Sequence, residues 1–367
     1  MERAPFVTPA MSILLDAVRG GAAIVVLLGH MVQTGIYTGS YPFGPLAQHN
    51  AVVVFFVLSG LVIAHSVADH RGTLRDYAIA RATRILPVSL FALAFGTAVY
   101  AIVTAFDLEP ALQLAPYDRL SPATVLLPAA FLSESWNGVG PVWNPPYWSL
   151  AYEVWFYALF GAAYWLEGRR RVAWLAVLGL VAGWRILLML PIWLMGAALA
   201  RYAGDWQPTR TKALQLALAG AIALFVASDL GHVASLAMYV VHAQVDYPLK
   251  NSNYFLTDYL FGAGIALLFV AARPFAEAGH ARLHAQRGPI RWLAGFSFSL
   301  YILHWPMLSV LSACGIGAGD NPFSFAALAA GIVGLCAAIA RITEYRSRDL
   351  RRWVTARLAR RSEPLPA

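Results

Sequence analysis

The chain has 367 residues, 59% of them hydrophobic and only 13% charged. Soluble domains carry about 25% charged residues, so this composition excludes an ordinary soluble enzyme and a disordered chain. The net charge of +8 would suit a nucleic-acid partner. The basic residues stand at the ends of apolar segments rather than together on a polar domain, which excludes that class as well.

A membrane-spanning helix needs about 20 mostly apolar residues. Ten segments qualify or come close: 12–34, 47–68, 85–106, 147–167, 172–184, 186–203, 212–230, 254–272, 291–311 and 322–343. The predicted fold is an all-α integral membrane bundle of about ten transmembrane helices, covering 1–344, followed by a basic tail over 345–367. The fifth segment is short and reads as broken or tilted, with Arg185 in a tight outer turn. The strip 232–248 has intermediate polarity and reads as an interfacial or re-entrant helix. The first segment is not a cleavable signal peptide, because Asp16 and Arg19 interrupt it and no small-residue cleavage site follows.

Orientation follows from Lys and Arg. With the N-terminus cytoplasmic and the spans alternating, 23 of the 27 basic residues fall in cytoplasmic pieces. Only Arg119, Arg185 and Lys250 fall outside, and Arg19 lies within a span. Both termini are therefore expected in the cytoplasm, with the chain in a cell (inner) membrane.

Ionisable residues at membrane depth are expensive and mark function by default. The first span carries Asp16, Arg19 and His30. Eleven residues return a helix to within about 20° of its starting direction, so Arg19 and His30 share a face, with Asp16 one turn before Arg19. The stripe runs roughly 21 Å from carboxylate to imidazole. In the second span, Ser59 and Gly60 read as small residues for close helix packing. The third span opens with Arg81 and Arg84, i,i+3 neighbours at the cytoplasmic mouth. Paired guanidiniums there can clamp phosphates, or simply anchor the helix at the inner headgroups.

The longest outer loop, 107–146, holds Asp107, Glu109, Asp118 and Glu134 and leads into the aromatic run Trp136, Trp143, Tyr147 and Trp148. Such a run suits interfacial anchoring or sugar binding. The fourth span places Ser149 and Glu153 on one face, i,i+4. Glu153 has no basic neighbour in its own helix and needs a partner from another span or an aqueous cavity. The ninth span holds Ser297, Ser299, Tyr301 and His304-Trp305-Pro306, and its proline frees backbone groups and kinks the helix. The tail from Tyr345 is basic and reads as a membrane-surface helix. Cys314 and Cys336 are too few for a disulfide framework and show no metal-ligand spacing, so no metal is expected. No GxSxG elbow, Walker loop, HExxH motif or Rossmann fingerprint is present.

Five stretches together resemble acyltransferase family 3. They are LDAVRGGAAIVVLLGH (15–30), VVVFFVLSGLVI (52–63), RATR (81–84), WSLAYEVWFY (148–157) and FSLYILHWP (298–306). They stand in the family's order, and the resemblance runs from the first span to Glu344. It implies ten spans and a cytoplasmic acyl-CoA donor, with acetyl-CoA the default. It also implies transfer to a hydroxyl of a glycan or glycosylated small molecule, often on the outer side. By motif, His30 matches the essential histidine, Arg19 the arginine before it, Arg81 and Arg84 the RxxR pair, and Glu344 the closing glutamate. The chain departs from the family pattern at Ala17, Val154 and Tyr345.

Residues and resemblance meet in one expectation. Arg81 and Arg84 hold the phosphates of CoA, and the thioester reaches His30, which acts as base or transient acyl carrier. Asp16 and Arg19 keep part of the cavity polar, Glu153 joins the catalytic set, and Trp148, His304, Trp305 and Glu344 face the acceptor. The rival reading is a transporter or flippase for a polar solute, which buried charge and a broken span would also suit. It is disfavoured because no inverted repeat is visible.

Overall fold

The computed structural model of the protein describes residues 5–68, 72–108, 119–136, 138–242 and 249–360. Arg3, Arg71, Glu109, Asp118, Arg361 and the rest of the tail end lie outside them. Among the described residues the architecture is helical throughout, apart from one isolated bridge between Tyr37 and Gly319. The helices are α1 (Pro9–Gln33), α2 (Ala47–Ala68), α3 (Leu74–Ala105), α4 (Pro122–Ala129), α5 (Trp148–Trp165), α6 (Gly168–Ala182) and α7 (Trp184–Tyr202). They continue with α8 (Arg210–His242), α9 (Phe255–Ala278), α10 (His280–Ala285), α11 (Arg287–Gly295), α12 (Ser297–Ala313), α13 (Pro322–Ala340) and α14 (Ser347–Arg360).

Among the described residues seven helical segments are long and apolar enough to cross a membrane, and the α11–α12 pair, bent by 52°, brings the number to eight if it is counted as one span. The fourth and fifth expected spans, α5 and α6, fall short for different reasons. α5 is diluted by Trp148, Tyr152, Glu153, Trp155, Tyr157, Tyr164 and Trp165. α6 is only 15 residues long. The strip expected to be a separate interfacial helix continues α8 without a break as far as His242, and 243–248 lies outside the described residues.

Local chemistry sets the helix starts. Thr8 caps α1 by accepting from the Met11 amide, with Pro9 in the first turn, where its missing N–H is no loss. Thr73 and Asp76 form a reciprocal capping box on α3. α3 therefore begins well before the predicted edge at 85, and Arg81 and Arg84 lie inside a continuous helix. At the bundle centre, α2 crosses α7 backbone to backbone. A Cβ on Gly60 would stand 1.9 Å from the Trp193 carbonyl oxygen, and one on Gly196 1.8 Å from that of Val57. Only glycine permits that approach, the small-residue contact that lets membrane helices associate closely.

Loops gather at two ends. At one end, Thr38 N bonds Gly319 O, Lys250 Nζ bonds Gly138 O, Trp136 Nε1 bonds Leu180 O and Ser252 Oγ bonds Arg185 O. At the other, Trp165 Nε1 bonds Gly72 O, and Arg273 donates to the carbonyls of Pro5, Ala203, Gly204 and Trp206. There too Thr8 donates to Glu277, and α14 lies along α3.

The aromatic loop before α5 is not a free surface at its C-terminal end. Trp143 and Tyr147 are buried, and Trp143 packs against Val99, Val103 and Tyr100 of α3. Pro306 in α12 cannot donate to Ile302 O, and Asn144, 1% exposed, supplies the missing donor at 2.9 Å.

Candidate functional site

A cavity of about 250 Å³ opens between α2, α3, α5 and α12, with one side chain from α1. α1 contributes Arg19 and α3 contributes Arg81, Arg84 and Ile85. From α2 come Val52, Phe55, Phe56, Ser59 and Val62, among others. α5 supplies Ser149, Glu153 and Tyr157, and α12 supplies Ser297, Phe298 and Tyr301. Four expected site residues, Arg19, Arg81, Arg84 and Glu153, thus converge on one space from three helices.

The arginines come first. Arg19 Nη1 holds Asp16 Oδ1 at 3.1 Å, and Arg291 Nε of α11 stands 3.9 Å from the other oxygen of Asp16. Asp16 is therefore the anchor of Arg19 rather than part of the cavity wall. The Arg81 guanidinium lies over two rings, 5.9 Å from the centre of Tyr77 and 5.8 Å from that of Tyr157. Cation–π contacts hold the head in place without consuming its N–H donors. Its Nε is buried without a hydrogen-bond partner.

Glu153 finds the partners its own helix lacks. Ser59 Oγ donates to Glu153 Oε1 at 2.7 Å, Tyr157 donates to the same oxygen, and Trp193 Nε1 donates to Ser59 Oγ at 3.2 Å. Ser59 does sit at the tight helix crossing, but its hydroxyl turns to the cavity. Tyr157, i+4 from Glu153, lay on the same predicted face and was missed.

The histidines form a second group beyond Tyr301. Nδ1 of His30 lies 2.8 Å from Nε2 of His304, and the rings are parallel within 9° with centroids 5.0 Å apart. Trp305 packs edge-on against His30 at 4.8 Å. His30 does not itself line the cavity. His304 is one helical turn beyond Tyr301, which does, and the two rings are 6.3 Å apart. Tyr301 donates to Pro146 O at 3.0 Å and receives the Ser149 hydroxyl at 2.7 Å.

Trp148 and Glu344 stand outside the cavity. Trp148 stacks on His49, 6.0 Å between ring centres, and His49 Nε2 reaches both oxygens of Asp258 at 3.0 Å. That His–Asp pair joins α2 to α9 and carried no signal in either helix alone. Glu344 accepts from the Ser299 amide at 3.0 Å and the Ser299 hydroxyl at 2.9 Å. It caps the N-terminus of α12, where a carboxylate complements the helix dipole, and it lies within electrostatic reach of Arg84 and Arg19.

The structure thus brings together a chamber with arginines at one end, a carboxylate network on its wall and paired imidazoles just past the other. Of the comparisons with known proteins, the acyltransferase domain of the acyltransferase 3 family matches residues 13–341. No curated protein and no solved structure matches the chain.

Proposed function

The chain belongs to the acyltransferase 3 family and is a multi-pass membrane acyltransferase, and on that premise we propose that it moves an acyl group from cytoplasmic acyl-CoA to a hydroxyl of a glycan or glycosylated acceptor. The observation that carries this reading is the convergence of Arg19, Arg81, Arg84 and Glu153 on one cavity whose far end meets the His30–His304 pair. Arg81 and Arg84, which both line the cavity, take the phosphates of CoA. The pantetheine arm runs along the cavity past Ser59 and Glu153, so that the thioester reaches His30. His30 removes the proton of the acceptor hydroxyl as that oxygen attacks the thioester carbonyl. Glu153, held by Ser59 and Tyr157, keeps the wall polar, and Trp148, His304 and Trp305 border the acceptor end.

The membrane is crossed ten times, with α5 and α6 completing the set and both termini in the cytoplasm. Two observations support this. The loop contacts sort into two ends in strict alternation along the chain. The end that collects Arg169, Arg201, Arg273 and α14 is the basic one, as cytoplasmic ends are. Localisation is the cell (inner) membrane, and acetyl-CoA is the donor.

Purified protein in lipid nanodiscs, incubated with acetyl-CoA, tests the reading through release of CoA thiol and of labelled acetyl groups. Release above an empty-nanodisc control is expected, and rates no higher than that control at saturating acetyl-CoA would overturn it.

A further inference from the structure

The two imidazoles carry information about protons that the cavity does not. His304 is fully buried, and its Nδ1 lies 3.1 Å from the carbonyl oxygen of Leu300. A carbonyl oxygen only accepts, so Nδ1 of His304 bears hydrogen. A neutral imidazole has one N–H, which leaves a lone pair on Nε2 of His304. That atom faces Nδ1 of His30 at 2.8 Å. Two lone pairs cannot meet at that distance, so Nδ1 of His30 bears hydrogen, and Nε2 of His30 is bare. Keeping both rings neutral leaves no charge buried at this contact.

Resting on the reading of His30 as the base, we infer that His304 is a positioning residue that fixes the tautomer of His30 and makes Nε2, not Nδ1, the nitrogen that takes the acceptor's proton. The chain of bonds runs from the backbone of α12 through His304 to α1. In catalytic triads a carboxylate orients the imidazole and stabilises the imidazolium that forms. Here a neutral imidazole, itself tied to a carbonyl, does that work without adding a buried negative charge. Trp305, edge-on to His30, holds the ring plane.

The step balances. The acceptor O–H gives its proton to Nε2 of His30 while its oxygen forms the ester C–O bond. The thioester C–S bond breaks, and the departing sulfur takes the proton back from Nε2. Between those events His30 is an imidazolium, and its Nδ1–H bond to His304 becomes charge-assisted and stronger.

The test compares wild type, His304→Gln and His304→Leu in nanodiscs with two readouts. The first is the ¹⁵N spectrum of the ring nitrogens, with His30 assigned by its loss in His30→Gln. The second is the kcat and KM for CoA release from acetyl-CoA. The wild type is expected to show a protonated Nδ1 and a bare Nε2 on His30. His304→Leu should bring up the Nε2–H form and lower kcat by about 10²-fold or more with KM for acetyl-CoA unchanged. His304→Gln places an amide oxygen where Nε2 stood, so it should restore the Nδ1–H form and most of kcat. A wild-type His30 protonated on Nε2 would overturn the inference. So would a leucine variant with unchanged tautomer or unchanged kcat, or one whose only defect is a raised KM. The ring spectrum is read without turnover, so an inactive protein with the expected tautomer would refute the acyl-CoA reading and leave the bond chain standing.

Discussion

Asn144 donates its side-chain amide to the carbonyl of Ile302, and that carbonyl is the one Pro306 leaves without an amide partner. The loop before α5 is thereby bonded into the wall of α12, two residues from His304. A buried carbonyl stripped of its partner costs about 1–3 kcal/mol. Asn144→Leu is therefore expected to lower stability by that amount and the thermal midpoint of the purified protein with it, as read by tryptophan fluorescence. An unchanged midpoint would mean that the carbonyl finds another donor.

His30→Ala should abolish acyl transfer while the protein still inserts and purifies normally. Removing a general base typically costs 10²–10⁴-fold. The check is CoA release from acetyl-CoA alongside size-exclusion behaviour in detergent. Turnover near wild type would remove His30 from the mechanism.

Arg81→Ala and Arg84→Ala should act on donor binding more than on chemistry. Both line the cavity, and His30 does not, standing beyond Tyr301 beside His304. A charge-assisted hydrogen bond is worth about 1.5–3 kcal/mol, so each change should weaken acetyl-CoA affinity roughly 10- to 150-fold by calorimetry. Lysine should rescue only in part, since it keeps the charge and loses the planar fork. Raising salt should weaken wild-type binding too, because Arg84 is exposed to solvent. Normal affinity in a well-folded double alanine variant would refute the phosphate clamp.

The native cysteines report sidedness without further engineering. Cys314 is exposed at the end of α12 and Cys336 is buried in α13. An impermeant maleimide added to intact spheroplasts should label Cys314 and spare Cys336, and Cys314→Ser should remove the signal. Labelling of Cys314 only after the membrane is broken would reverse the topology and place the donor arginines on the wrong side for cytosolic acyl-CoA.

Most of the long apolar helices were legible from composition alone, and Arg19, Arg81, Arg84 and Glu153, expected at one site, do line one cavity. The shared face read for Asp16, Arg19 and His30 brings only Arg19 to the cavity, whereas Ser149 and Glu153 both line it. What escaped depended on partners far away in the chain. The hydroxyl of Ser59 looked like packing because Glu153 is 94 positions later. The cap that Glu344 gives the Ser299 amide joins residues 45 positions apart, which no local pattern shows. The aromatic run before α5 looked like an interfacial belt, yet Trp143 and Tyr147 are buried, since a proline 159 residues beyond Tyr147 left a carbonyl that this loop was shaped to meet. His49 and Asp258 carry no shared periodicity at all, and only the packing of α2 on α9 brings them together.

The backbone contact at Gly60 and Gly196 has a mechanical consequence. Two helices that touch main chain to main chain interlock and cannot slide, so α2 and α7 travel as one plank. Prolines interrupt the ladders of α3, α7, α9 and α12. Pro87 sits three residues past Arg84 in α3, and Pro306 two past His304 in α12. Each removes one rung from its ladder, and at Pro306 Asn144 supplies the lost donor. The α2 wall of the chamber, which carries Ser59, is held by the glycine contact in fixed register with α7.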